Sequence, residues 1–537
     1  MHKNNWFLQK LDKAFLTPIR ALRKRYIPLL LVYFAYGLSG FSAIALSFWQ
    51  KEQLGLSAEQ LIMISVWVMV PWTLKMVFGQ MVDSVKIFGS RRKIYIFLGA
   101  ICIALGAVIL AGLAGRHDFV MWMGDEYTIY LLSAICTTFG FVIQDVTADT
   151  MTTEVVERHE IKNGKRVVRT EKDIQADLSM VQVLGRLALS LAGFSVAGLG
   201  GYLAAHVSYE TIFWMTLALP LISCAGAFFI RLDRIEEKTV KPLNIKIIGG
   251  GIAFAVFSIV MATVDHPYAQ EIVFLVSLVL LSLMLFFVTR GIPSTKLKVL
   301  VFTLVALFLY RATPSTGPGL TWWAIDELGF DQQFYGVLAQ IGAGVALGVL
   351  WFCADFIANR PIRSVLIFLV IVEGLMSLPE LGMYYGVHEM LGVSARTVAL
   401  FDTALGSPLV HVSMVPMLAL IAYYAPKGNR ATWFAVGASF MNLALTGGEL
   451  LTKYLNKIFI ITREVTDSIG EVIVPQNYDE LGVLMLWRLG IAVIMPLVAI
   501  FLFLKRTPKL ASEEVTEDVS EEAPVPGRKK MELGVRA

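Results

Sequence analysis

A chain of 537 residues that is 56% hydrophobic and only 16% charged carries more apolar side chain than a water-soluble domain can bury, so a soluble fold is excluded. Its net charge of +4 is small and its basic residues fall in gaps between apolar runs, where they orient helices in a bilayer, so no nucleic-acid partner is called for. The four cysteines, Cys102, Cys136, Cys224 and Cys353, lie in separate apolar runs, which argues against a disulfide framework or a zinc site.

Residues 1–27 interleave Trp6, Phe7, Leu8, Leu11, Phe15 and Leu16 with lysines, the pattern of a cytoplasmic amphipathic helix at the interface, and lack the compact core of a cleavable signal peptide. About fourteen apolar runs follow, each near the roughly 20 residues that a membrane-crossing helix requires. They cover 28–50, 58–82, 92–114, 127–156, 174–206, 209–231, 245–264, 270–290, 299–326, 331–357, 363–386, 394–424, 430–458 and 481–505. Charge alternates from gap to gap. Basic residues gather before the first run and again at Arg91-Arg92-Lys93, Lys162 to Lys172, Arg231 to Lys246, Arg290 to Lys298, Arg360 with Arg363, Lys427 with Arg430, and Lys505-Arg506. The intervening gaps hold Asp118, Asp125, Glu126, Glu210, Asp265, Glu271, Asp326, Asp331, Glu389 and the acids from Glu464 to Glu480. The positive-inside rule then places both termini in the cytoplasm, and a multi-pass protein of the plasma (inner) membrane is expected. The mixed charge, Pro524 and Pro526 of residues 506–537 predict a disordered cytoplasmic tail.

No HExxH, Walker A or nucleophile-elbow motif is present, so neither an enzyme nor a cofactor is expected. Gly342, Gly344 and Gly348 lie inside an apolar run and follow no strand, which fits helix packing rather than a dinucleotide loop. Between the second and third runs stand Gly79, Asp83 and then Gly89-Ser90-Arg91-Arg92-Lys93; Gly348, Asp355, Arg360 and Arg363 repeat this glycine, acid and basic turn in diluted form. Such an echo is expected of two repeats related by an axis along the membrane normal. The chain then divides into an N-terminal six-helix bundle (28–231), a linker with two extra transmembrane helices (232–298) and a C-terminal six-helix bundle (299–505).

The Gly79–Lys93 stretch resembles the cytoplasmic loop of the major facilitator superfamily. That resemblance implies gating roles for Gly79, Asp83, Arg91 and Arg92, and for Asp355 and Arg360 in the echo, the glycine letting helices approach and the acid latching one conformation. The alternative is that the basic residues only orient the chain. With Pro71-Trp72-Thr73-Leu74-Lys75 before it and Ile94-Tyr95 after it, the segment is similar to the folate-biopterin transporter family. So are Gln144-Asp145-Val146-Thr147-Ala148-Asp149, Arg311-Ala312-Thr313-Pro314-Ser315, and Asp402 with Pro416-Met417 and Pro426 to Ala435. Met76 stands where that family commonly has proline, Lys93 replaces a more usual arginine, and the two extra helices exceed the basic twelve-helix plan. Muropeptide permeases and acetyl-CoA transporters share a similar Pro-Trp-Lys-type segment. The resemblance implies an all-α membrane protein of the major facilitator fold, with two six-helix bundles plus two inserted helices.

Ionisable residues at membrane depth are costly and face a cavity or a partner. Lys75, Asp145, Asp149, Arg186, Arg311, Glu373, Asp402, Glu449 and Arg488 all lie inside apolar runs. Asp145 and Asp149, four residues apart, share one helix face; either one of them carries a proton or both join a static network with Lys75 or Arg186. Arg186 and Arg311 each fall about twelve residues into their spans, near mid-membrane and in opposite halves. They either grip carboxylates of an anionic ligand or form salt bridges to Asp145, Glu373 or Asp402. Arg186, Arg311, Tyr310 and Lys75 are the candidate substrate ligands. Asp145, Asp149, Glu373, Asp402 and His411 are the candidates for proton coupling, against static pairing for the acids and packing for the histidine. Tyr310, Trp67, Trp72, Trp322, Trp323 and Trp433 either stack on a flat heterocycle or anchor span ends. The expected activity is proton-coupled import, by alternating access, of a small organic anion of folate or pterin type. Its partners are that solute, a proton or other coupling ion, and the lipid bilayer around a monomer. The competing readings are transport of another carboxylate-rich solute, such as a siderophore or muropeptide, and a non-transporting membrane scaffold or receptor.

Overall fold

The computed structural model describes residue 20 and residues 22–90, 92–156, 159–162, 165–229, 245–264, 266–290, 294–352, 362–406, 430–466 and 471–504. Arg91, Asp355, Arg360 and His411, the amphipathic N-terminal stretch and the tail from 505 therefore lie outside the described residues.

The first span is α1 (Ile27–Leu38), opened by Pro28, a 3-10 turn and α2 (Ala43–Glu52). The second begins at a capping box, in which Ser57 accepts from the Gln60 N–H and the Gln60 side chain accepts from the Ser57 N–H. It runs as α3 (Ala58–Thr73) and α4 (Lys75–Ser84), interrupted at Leu74 shortly after Pro71, whose missing N–H removes a rung of the ladder. Next come α5 (Lys93–Ala114), α6 (Glu126–Glu154) capped by Asp125, α7 (Glu171–His206), and the pair α8 (Tyr209–Met215) and α9 (Ala218–Phe229). The inserted helices are α10 (Ile245–Thr263) and α11 (Ala269–Val288). Beyond them lie α12 (Ser294–Arg311), α13 (Gly319–Asp326), α14 (Gln332–Phe352), α15 (Ile362–Met376), α16 (Leu378–Tyr384), α17 (395–406), α18 (Arg430–Ile458) and α19 (Leu481–Phe503). Among the described residues, 9 helical segments are long and apolar enough to cross a membrane. Among the described residues the strands form two short antiparallel ribbons in loops, His159–Lys162 with Lys165–Val168 and Val465–Thr466 with Val472–Val474.

Within the first half, α1 packs on α7 and α9, α5 on α6 and α9, and α6 on α3. Gly99 and Gly140 let α5 and α6 approach closely: a Cβ at Gly99 would lie 2.7 Å from the Gly140 carbonyl oxygen. In the second half, α12 packs on α18 and α19, and α15 on α19. Two seams join the halves, α7 against α14 and α3 against α18. At the first, a Cβ on Gly201 would lie 2.5 Å from the Gly336 Cα, so only glycine fits. The inserted helices follow the second seam, with α11 against both α18 and α3 and α10 against α11 and α4.

Candidate functional site

The interruption at Leu74 starts α4 on Lys75, whose ammonium reaches across to α6. Lys75 Nζ donates to Asp145 Oδ2 at 2.6 Å and to Asp149 Oδ2 at 2.7 Å, and the Tyr33 hydroxyl donates to Asp149 Oδ1 at 2.7 Å. One helical turn separates the two aspartates, so a single cation holds both. Arg186 of α7 stands within electrostatic reach of Asp145 and Asp149 but makes no hydrogen bond or ion pair among the described residues. Lys75 and Arg186 together balance the two carboxylates.

In the second half, Arg311 ends α12 where the chain leaves helical geometry for residues 312–317. This break is held by α18. The Ser315 N–H donates to Thr452 Oγ1 at 2.9 Å, Asn456 Nδ2 donates to the Thr316 carbonyl at 3.3 Å, and a Cβ on Gly448 would come within 2.7 Å of the Thr313 carbonyl. The Arg311 Nε is buried without a hydrogen-bond partner, and Arg311 has no ion pair among the described residues. Neighbouring Tyr310 is buried in an apolar cluster with Leu307, Leu366 and Phe440 instead of offering an open face.

A second charged group surrounds Arg488 of α19, which donates from Nη1 to Ser377 Oγ at 2.7 Å. Glu373 and Glu380 lie within its electrostatic reach, and Asp402 lies within that of Glu380. The Asp402 Oδ1 is buried with no hydrogen-bond partner among the described residues. Sequence reasoning overlooked Glu380, although as a charge inside the 363–386 run, in what is the first turn of α16, it carried the same signal as Glu373.

At the turn from α4 to α5, Arg92 is buried and donates to Asp83 Oδ1 at 3.3 Å and to the Val82 carbonyl at 2.5 Å. Gly79 does not mark a close approach, since a Cβ there would meet only Val146 Cγ1 at 3.9 Å. Trp67, Trp322 and Trp323 are buried, so packing accounts for them.

The opposite end, where α2 meets α3, holds contacts that the sequence did not announce. Lys51 pairs with Asp326 at 2.6 Å, the Tyr478 hydroxyl donates to Asp326 Oδ2 at 2.5 Å, and Arg463 donates to the carbonyls of Lys51 and Leu54. Tyr209 donates to Glu52 Oε2 at 2.7 Å and accepts from Gln332 at 3.3 Å, while the Gly198 N–H donates to Gln340 Oε1 at 2.9 Å. Lys51–Asp326, the Arg463 bonds, Gln332–Tyr209 and Gly198–Gln340 tie one half to the other, while Tyr478–Asp326 and Tyr209–Glu52 brace these groups within their own halves.

The BT1 family profile matches residues 36–523. The chain is 25% identical over 461 residues to the folate-biopterin transporter of Synechocystis sp., covering 85% of this chain and 79% of that one. It is 24% identical over 453 residues to probable folate-biopterin transporter 4 of Arabidopsis thaliana, covering 78% and 86%, and 20% identical over 419 residues to folate transporter 1 of Plasmodium falciparum, covering 78% and 69%. Among solved structures, a POT family transporter in complex with 5-aminolevulinic acid is similar at TM-score 0.65, with 11% identity over 91% of this chain and 99% of that one. The inward-open xylose transporter of E. coli is similar at TM-score 0.53, with 11% identity over 90% and 96%. At such identities the likeness shows the fold, which is that of the major facilitator transporters. A family match over most of the chain, on a fold of this kind, settles the class: the chain is an integral membrane transporter, not an enzyme, and belongs to the BT1 family, that of the folate-biopterin transporters.

Proposed function

We propose that the chain imports a small organic anion of folate or pterin type by alternating access, coupled to a proton. The observation that carries this reading is the pair Arg186 and Arg311, one guanidinium from each half, neither with an ion-pair partner among the described residues. Guanidinium donors left without a partner at membrane depth are costly, and a ligand carboxylate, gripped in bidentate fashion, satisfies them and, at Arg311, supplies the counter-charge as well. Folate, named for the relatives, is a flat heterocycle with a dicarboxylate tail that fits that demand; biopterin, also named, shares the heterocycle without the carboxylates.

Charge balance suggests how a proton is drawn in. Lys75 and Arg186 offset Asp145 and Asp149; once Arg186 takes a substrate carboxylate, the group carries one excess negative charge, and protonating an aspartate restores neutrality. Glu373 beside Arg488, and Asp402 beside Glu380, offer a second proton position in the other half. The contacts at the α2–α3 end close one mouth, and with the termini in the cytoplasm of a cell bounded by this membrane, the state described faces inward. Asp83 and Arg92, with Gly79 beside them, would tighten at the other mouth when it closes. The two halves, 28–231 and 299–505, then rock as a monomer about the central site, with 232–298 carried along.

The test is counterflow in proteoliposomes of the full chain, with folates, pterins, muropeptides and ferric siderophores as competitors, with and without an imposed pH gradient. Folate or pterin exchange is expected, with accumulation only under the gradient. Exchange of a muropeptide or siderophore alone would replace the substrate assignment, and gradient-independent accumulation would remove the proton. Asp149→Asn is expected to abolish gradient-driven uptake while sparing exchange.

A further inference from the structure

Three aromatic rings gather beside the Lys75 cluster. Tyr36 of α1 lies 5.2 Å from Phe141 of α6, with 45° between ring planes, and 6.3 Å from Trp72 of α3, with 35° between planes. All three are only half-buried, whereas Tyr33 one turn away and Trp67 are buried. Lipid does not account for this exposure. Tyr36 stands within electrostatic reach of Lys75, Asp145 and Arg186, and ionised groups at this depth face a cavity, not acyl chains. The corner also adjoins the boundary between the halves, where Asn442 of α18 donates to the Trp72 carbonyl at 3.1 Å.

The polar groups in reach are partly uncommitted. The Tyr36 hydroxyl has no hydrogen-bond partner among the described residues, and Asp145 engages Lys75 through Oδ2. Tilted rings from three helices form an angled wall on which a flat π-system finds a face to stack on and an edge to meet. A neighbouring carboxylate is the natural acceptor for the N–H groups of an aminopyrimidinone. From this juxtaposition we infer that Tyr36, Phe141 and Trp72 are the ring-binding subsite, with Asp145 accepting from the N–H edge of a fused heterocycle. Arg186 and Arg311 take the acidic tail. The assignment rests on the folate or pterin reading and adds to it a division of the site into a ring end and a tail end.

Two fragments of the substrate separate those ends: pterin, which has the ring and no tail, and p-aminobenzoylglutamate, which has the tail and no pteridine. Binding of each, and of folate, is measured by calorimetry on the purified full chain, with wild type, Tyr36→Leu, Phe141→Leu and Tyr36→Phe. Leucine keeps apolar volume and removes the π face, so Y36L and F141L are each expected to weaken pterin and folate by about tenfold or more while leaving p-aminobenzoylglutamate within about twofold. Y36F keeps the stacking face and is expected to retain pterin binding. If one leucine variant does not fold, the other, on a different helix, carries the test. Unchanged pterin binding in the folded leucine variants, or equal weakening of both fragments, overturns the subsite while the folate reading stands. A wild-type chain that binds none of the three ligands overturns the folate reading, and the subsite with it.

Discussion

Lys75 is the residue on which the first-half cluster depends, because one ammonium offsets two carboxylates a single turn apart. Its replacement by methionine leaves Asp145 and Asp149 repelling each other one turn apart; the Lys75 and Asp149 side chains are 25% and 42% exposed, so solvent screening keeps the loss below the roughly 3–5 kcal/mol of a fully buried pair. Lys75→Met is therefore expected to lower the thermal unfolding midpoint in detergent, and adding Asp145→Asn to recover much of the loss. A double variant no more stable than the single one would show that the lysine acts through something other than these carboxylates. Asp125 gives a milder case at the membrane surface. Its Oδ1 accepts from the Thr128 N–H at 2.9 Å at the N-terminus of α6, and the Thr128 side chain together with this N–H holds its carboxyl below the usual range. Asp125→Ala is expected to cost about 1 kcal/mol. Because the folded-state value is depressed, the contribution is present above the ordinary carboxylate range of about 3.9 and is lost as pH falls through the folded value. The stability difference between D125A and wild type should accordingly shrink in acid. Lys75, Asp145 and Asp149 were legible in the sequence because charge inside an apolar run stands out and a spacing of four fixes a shared face. Lys51 and Asp326, which are 275 residues apart, were not. At span ends they are indistinguishable from ordinary loop charges until the tertiary structure joins them.

Among the elements, α11 shows what apolar patterning can and cannot say. Its length and composition mark a membrane span, and its place outside the repeat marks an insertion, but nothing in its sequence says which neighbours it touches. The structure lays it along the α3–α18 seam and bonds it to both sides. Gln270 donates to the Met63 carbonyl at 2.8 Å and accepts from Lys453 Nζ at 3.2 Å, while Glu271 Oε1 takes Lys453 at 2.5 Å and the Tyr454 hydroxyl at 2.8 Å. Lys453 is buried, so its charge depends on Glu271. Glu271→Leu or Lys453→Met alone is expected to cost about 3–5 kcal/mol, and the double variant much less, since two apolar side chains can replace a buried ion pair at little cost. Additive losses in thermal melts of the full double-mutant cycle would show that the two side chains do not depend on each other. The break after Arg311 was more readable, because Pro314, Gly317 and Pro318 cannot continue a helix; the partners that satisfy its backbone, Thr452 and Asn456, lie too far along the chain to be seen.

At the scale of the whole molecule, the two seams are equivalent under the repeat. Counting spans without the inserted pair, α3 is the second, α7 the fifth, α14 the eighth and α18 the eleventh. A shift by half the set therefore carries the α3–α18 seam onto the α14–α7 seam. On the alternating-access mechanism proposed above, two seams related in this way are where one half rocks on the other, and the bonds at the α2–α3 end decide which mouth is closed. On that reading Lys51–Asp326 and the Arg463 bonds to the Lys51 and Leu54 carbonyls, which cross between the halves, break when that mouth opens, while Tyr478–Asp326 lies within one half and only holds Asp326 in place. Hydrogen bonds to charged groups contribute about 1.5–3 kcal/mol each, so losing Asp326 and Arg463 together shifts the equilibrium toward the other state by tenfold at least. Leu54 is buried at this end, and a cysteine at 54 reports on its opening. In an otherwise intact chain, Leu54→Cys is expected to react slowly with a membrane-impermeant maleimide. With Asp326→Asn and Arg463→Met added, labelling should rise by about tenfold or more, while the thermal midpoint falls only modestly because the halves keep their own cores. Faster labelling on the same side of the membrane as the chain termini would mean that the mouth has been assigned to the wrong face. Unchanged labelling in a folded triple variant would mean that these bonds do not hold the gate, and that the α7–α14 seam, with its Gly201–Gly336 packing and the Gln332 and Gln340 bonds, keeps it shut.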